Sequence, residues 1–264
     1  MNCITLLSDF GLQDSSVAAA KGILMQYNPD ARLVDISHLI EPFHLQQAAY
    51  ILAAAYEHFP KGTCHLLLFD IFYGDTPRLV LCEKNGYYFL APDNGILPLA
   101  FGNDYGKVWK YFELTAPFVF KDWIHAAAKV CNELKSKKTE QLELEPYELK
   151  NAPQHCQARV DGNTVECHVI HIDRFENVII NMTKEQFETV GKGRPFRIEF
   201  MRDEQLTELS DNYLVVKEGE KLCRFNSTGY LEIAINRGRA ASLFGLKLFK
   251  ERHLIYNTIK IYFE

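Results

Sequence analysis

The sequence predicts a two-part α/β protein. An N-terminal α/β domain with a mainly parallel sheet between helices occupies residues 1–150, and an antiparallel β domain occupies residues 151–264. Three observations carry this prediction. Apolar runs alternate with helix-period segments in the first half. Residues 135–155 then turn charge-rich and proline-bearing, as Lys135–Lys138, Glu140–Pro146 and Asn151–Gln154 show, which is the texture of a domain boundary. Beyond them come closely spaced short strands, the pattern of a small antiparallel barrel or sandwich.

In chain order, Ile4–Leu7 reads as a buried strand opening into Ser8-Asp9-Phe10-Gly11. Val17, Ala20, Leu24 and Tyr27 mark a helix that Asn28-Pro29-Asp30 stops. Arg32–Ile36 is a second strand, and Leu45 to Phe59 keeps helical spacing up to Pro60. Cys64–Asp70 is a third strand. Leu79–Cys82 and Tyr88–Leu90 read as an antiparallel pair turning at Lys84-Asn85-Gly86. A helix over Lys121–Leu134 closes this half. In the second half, strands are expected over Cys156–Val160, Thr164–Asp173, Val178–Asn181, Phe196–Phe200, Tyr213–Lys217, Tyr230–Ile235 and Leu254–Phe263. One helix is expected over Lys184–Val190.

Composition excludes several classes. The chain is 47% hydrophobic and 24% charged, ordinary for a folded globular protein. Its formal charge of −5 gives no broad attraction for phosphate backbones, so nucleic acid is not an expected partner. No apolar run reaches the roughly 18 residues of a spanning helix, so no membrane partner is expected. Asp9 interrupts the apolar opening, which argues against an export signal. The seven cysteines form no CxxC pair, which fits reduced thiols in a cytoplasmic protein. No dinucleotide, P-loop, nucleophile-elbow or zinc motif is present, so neither cofactor nor metal is expected. His168 and His171 share a predicted strand at a spacing that turns them to opposite faces.

Three polar clusters could carry chemistry. Asp9, Asp14 and Ser16 lie between the first strand and its helix, where a carboxylate can hold a sugar diol and where Asp14 or Ser15 could equally cap the helix. Asp70 ends the third strand, with Tyr73, Gly74, Asp75 and Arg78 after it. Asp173–Asn177 and Asn226–Tyr230 read by themselves as hairpin turns.

Together these segments resemble a known family. Thr5–Asp14 with Val17–Gly22, Leu33–His38, Ile40–Phe43, Ala48–Tyr50, Phe59–Thr63, Ala91–Leu97, Ile172–Val178 and Ser227–Ala234 are similar, in order, to the S-adenosyl-L-methionine (SAM) hydroxide adenosyltransferases. These adenosine-forming SAM hydrolases are relatives of the SAM-dependent fluorinase and chlorinase. The resemblance implies an N-terminal α/β domain, a C-terminal β-barrel and a homotrimer whose SAM site is shared between subunits. It further implies that Asp9 holds the ribose hydroxyls, that Asp14 and Ser16 lie near the methionine end, and that Phe43 packs near the ribose and sulfonium. Asp173 and Ser227 match groups that hold the amino-acid end, and Asn177 matches the side chain that reads adenine.

The family uses an Asp, an Arg and a His to activate water. Asp70 matches the Asp, but Pro77 stands at the Arg position and Val119 at the His position, within Phe118–Asp122. Arg78 and His125 are the nearby substitutes. The expected reaction is hydrolysis of SAM to adenosine and methionine. The alternatives are a SAM- or adenosine-binding protein without efficient turnover, and transfer to a halide, against which Asp70 argues because the halogenases carry Tyr there.

Overall fold

The computed structural model describes residues 3–113, 119–142, 144–201, 204–248 and 258–264. It divides into two compact units, Met1–Ala152 and Pro153–Glu264.

The first unit contains β1 (Cys3–Ser8), α1 (Ser16–Tyr27), β2 (Arg32–Ser37), α2 (Leu45–Ala55), β3 (Cys64–Leu68), β4 (Arg78–Lys84), β5 (Tyr87–Pro92), α3 (Ile96–Phe101), β6 (Lys107–Glu113), α4 (Phe120–Glu133) and β7 (Glu145–Pro146). Its seven-stranded sheet runs β2-β1-β3-β5-β4-β6-β7. The pairs β1–β2, β1–β3 and β3–β5 are parallel, and the β4 edge is antiparallel. Alternate residues feed the two faces. Leu6, Leu66 and Leu68 pack with α1 and α4, whereas Leu7, Leu67 and Phe69 pack with α2 and α3. That two-sided burial is why these strands read as unbroken apolar runs. The predicted boundary region partly belongs to this unit: β7 pairs with β6, and Lys150 donates its backbone N–H to Asp93. The sequence reading missed α3 and β6.

The second unit contains β8 (Arg159–Asp161), β9 (Thr164–Cys167), β10 (Val169–Ile172), β11 (Val178–Thr183), α5 (Lys184–Gly191), β12 (Phe196–Met201), β13 (Glu204–Leu206), β14 (Lys221–Phe225), β15 (Tyr230–Ile235), α6 (Ala240–Phe244) and β16 (Ile259–Phe263). Its strands form two antiparallel sheets, β10-β11-β15-β14 and β13-β12-β16-β9-β8, around one apolar core. Among the described residues a lone Leu209–Cys223 bridge links the sheet flanks. Among the described residues no ladder joins the two sheets.

Three expectations are corrected here. Thr164–Asp173 is two strands in different sheets, broken at His168, whose N–H turns to the Asn181 side chain. Tyr213–Lys217 is no strand: Asn212 accepts the Leu214 N–H and starts a short 3-10 turn over Tyr213–Val215. Cys156–Val160 yields only the strand from Arg159, after a turn over Gln154–Cys156. Of the expected last strand, residues 254–257 lie outside the described residues.

Candidate active site

In this sheet the chain leaves β1 toward β2 on one side and returns to β3 on the other. Such a reversal opens a crevice beyond the carboxyl ends of the strands, where open α/β sheets bind ligands. Asp9 follows β1 and Asp70 follows β3, one on each side of that crevice. The register that pairs Ser8 with Leu68 brings the two loops together.

The backbone is strained to place them. Asp70 has φ 43° and Phe43 has φ 64°, left-handed conformations that cost a side-chain-bearing residue roughly 1–2 kcal/mol. Both converge on Asp9, whose carboxylate accepts backbone N–H groups from Asp70 and, at 3.5 Å, from Phe43. Asn94 braces the same loop by donating its side-chain N–H to the Phe69 carbonyl at 3.0 Å.

Both acids are pushed above their ordinary carboxylate range. Burial is the main cause for each, and the Asp9 charge adds to the rise at Asp70. The backbone donors oppose the rise at Asp9. The crevice therefore holds a partly buried pair of carboxylates of unequal environment, the combination that separates acid–base roles.

The segments that flank the pair expose apolar as well as polar side chains. Phe43 is 79% exposed, and Leu12, Leu39 and Phe72 are exposed with it. Asp14 is fully exposed and accepts the Ser16 backbone N–H at 2.9 Å, the capping work that sequence reasoning offered as an alternative. The Ser16 donors hold its carboxyl below the usual range.

Neither expected helper reaches Asp70. Arg78 directs its guanidinium to Glu113 and to the Tyr147 hydroxyl, both at 3.4 Å, along the β4–β6 edge. His125 packs against Tyr27 with ring centres 5.7 Å apart. Tyr27 ends α1, a 12-residue helix about 18 Å long, at the end away from Asp14. Pro77 is buried, whereas Val119 is 41% exposed just before α4.

Taken by itself, the second unit presents the other predicted residues in two turns. Asp173 accepts N–H groups from Phe175 and Asn177 through Oδ1 and from the Asn177 side chain through Oδ2, at 2.8–2.9 Å. Ser227 is exposed in a turn that Asn226 ties to Thr228 and Tyr230.

The sequence pattern of the SAM hydroxide adenosyltransferase N-terminal domain matches residues 4–137, and that of the C-terminal domain matches residues 167–252. The chain belongs to the SAM hydroxide adenosyltransferase family. Among similar proteins are the (R)-S-adenosyl-L-methionine hydrolases of Methanocaldococcus jannaschii, 28% identical over 97% of each chain, and of Thermus thermophilus, 29% identical over 94% of this chain and 97% of that one. A fluorinase of Nocardia brasiliensis is 24% identical over 92% and 93%. The crystal structure of an uncharacterized conserved protein from Thermotoga maritima superposes with a TM-score of 0.78, at 26% identity, covering 98% of this chain and 99% of that one.

The sequence drew attention to the ends of β1 and β3 but assigned no role to Ser8, His38 or Asn94. The available signal was their place beside those strand ends.

Proposed function

We propose that the protein hydrolyses SAM to adenosine and L-methionine, as the names of its relatives indicate for them. The observation that carries this reading is the Asp9–Asp70 pair, partly buried in the crevice on a strained backbone.

In this reading Asp9 accepts hydrogen bonds from the ribose 2′- and 3′-hydroxyls. Phe43 lays its exposed ring beside the ribose and the cationic sulfonium, an attraction of aromatic face for positive charge. Asp70 accepts a proton from the attacking water as the water oxygen bonds to C5′. The C5′–S bond breaks with its electron pair going to sulfur, so methionine leaves as a neutral thioether and needs no general acid. An ordinary Asp, with a pKa of about 3.9, is a weak base toward water. Burial and the neighbouring Asp9 charge raise the proton affinity of Asp70, which offsets part of what the missing Arg and His would supply. Arg78 and His125 are the candidate helpers of Asp70, and in the single chain they bond or pack elsewhere, on Glu113 with Tyr147 and on Tyr27.

Asp14 and Ser16 are assigned to the methionine end. Asp173 and Ser227 are assigned to the amino-acid group and Asn177 to adenine, supplied by a neighbouring subunit of a cytoplasmic homotrimer, with the barrel as the finer description of their unit. No nucleic acid, membrane or cofactor takes part. The relatives' names favour turnover over binding alone.

The test is SAM binding by calorimetry. Asp9→Ala should weaken affinity at least about tenfold, because two ribose hydroxyls lose a charged acceptor. Unchanged affinity would remove Asp9 from the site.

A further inference from the structure

A chain of side chains runs behind Asp9 that the reaction above does not use. Lys21 Nζ lies 2.6 Å from Asp35 Oδ2, Asp35 Oδ1 lies 3.1 Å from His38 Nε2, and His38 Nδ1 lies 2.6 Å from Ser8 Oγ. Ser8 Oγ in turn accepts the Phe10 N–H at 3.4 Å. The His38 carbonyl accepts the Gly11 N–H at 2.8 Å. His38 thus stitches the loop on both sides of Asp9.

His38 Nδ1 and Ser8 Oγ share one hydrogen bond and Ser8 Oγ also accepts the Phe10 N–H, while the Asp35 carboxylate lies beside His38 Nε2 at ion-pair distance. A register shift makes the contact possible. Leu6 faces Asp35 and Leu7 faces Ser37, so Ile36 is an extra residue, and Asp35 and His38 meet although their odd spacing would part them on a regular strand. The order Ser-His-Asp is that of a nucleophile triad, but Ser8 is fully buried and its hydroxyl is spent on His38.

We propose that Ser8, His38 and Asp35 are positioning residues that set the Asp9 carboxylate for the ribose diol. The proposal rests on the reading of Asp9 as the ribose acceptor. A group held by a second layer of bonds loses less freedom on binding, and its ligand gains affinity in proportion. The relay acts on the diol alone, so its loss should be felt only by ligands that carry the two hydroxyls.

The experiment compares adenosine with 2′,3′-dideoxyadenosine by calorimetry on the full chain. The natural protein should prefer adenosine about tenfold or more, and Asp9→Ala should erase the preference. Ser8→Ala and Asp35→Asn should each shrink it about threefold or more while leaving dideoxyadenosine affinity unchanged, and Ser8→Thr should keep it by keeping the hydroxyl. Asp35 is at the solvent end of the relay, so Asp35→Asn tests the idea without disturbing the core. If Asp9→Ala erases the preference but the relay variants retain it, the relay is overturned and the ribose reading stands. Equal losses for both ligands would mark a merely structural role and overturn the relay too. If the natural protein shows no preference, or Asp9→Ala retains one, the ribose reading falls and takes the proposal with it.

Discussion

Burial opposes the charge on Asp9 and on Asp70, and the left-handed backbone of Asp70 adds strain. Because burial raises both carboxyls, the folded protein holds more protons than the unfolded chain between the ordinary carboxylate value and the raised one. Stability therefore falls as pH climbs through that window. Asp70→Asn keeps the shape and removes the charge. At pH 7 it should unfold at a higher temperature than the natural protein, and the gain should vanish near pH 3, below about 3.9, where both forms are neutral. A lower melting temperature at pH 7 would contradict the account. These two acids were legible because each follows an apolar run. The partners of Arg78 and His125, Glu113 with Tyr147 and Tyr27 respectively, were not legible, because sequence spacing does not say which edge or helix end a side chain faces. The Asp35–His38 contact depends on a register shift at Ile36, which no spacing rule reveals.

At the scale of elements, the turn between β10 and β11 shows how one left-handed residue is held. Within Asp173–Asn177, Glu176 has φ 63°, a left-handed conformation that favours glycine. Its side chain accepts the Ser242 N–H at 2.9 Å and pairs with Arg239, and its carbonyl accepts the Ala241 N–H. These bonds to the start of α6 hold a conformation that glycine would adopt freely. Glu176→Ala loses the carboxylate contacts and keeps the strain, whereas Glu176→Gly loses the contacts and the strain together. In urea unfolding the glycine variant should be more stable than the alanine one by about 1 kcal/mol. The reverse order would show that the strain is not what the geometry implies. Long two-sided strands such as β1 and β3 were read well from their apolar runs. Thr164–Asp173 was not, because a strand that changes sheets keeps its apolar alternation through the break and only the backbone partner changes.

At the scale of the whole molecule, Leu12, Leu39, Phe43 and Phe72, in the segments that flank Asp9 and Asp70, are exposed in the single chain. Exposed apolar side chains of this kind fit a surface that another subunit covers. Light scattering should give three times the mass of the 30.4 kDa chain, and dilution to monomer should abolish SAM binding. A monomer that binds SAM at full affinity would refute the shared site. The central claim is tested most directly by incubating the purified protein with SAM and following adenosine and methionine by chromatography. The account predicts equal amounts of the two, with kcat falling by a factor on the order of 10²–10⁴ in Asp70→Asn while SAM affinity is kept. No adenosine above the uncatalysed background, or undiminished turnover in Asp70→Asn, would contradict it.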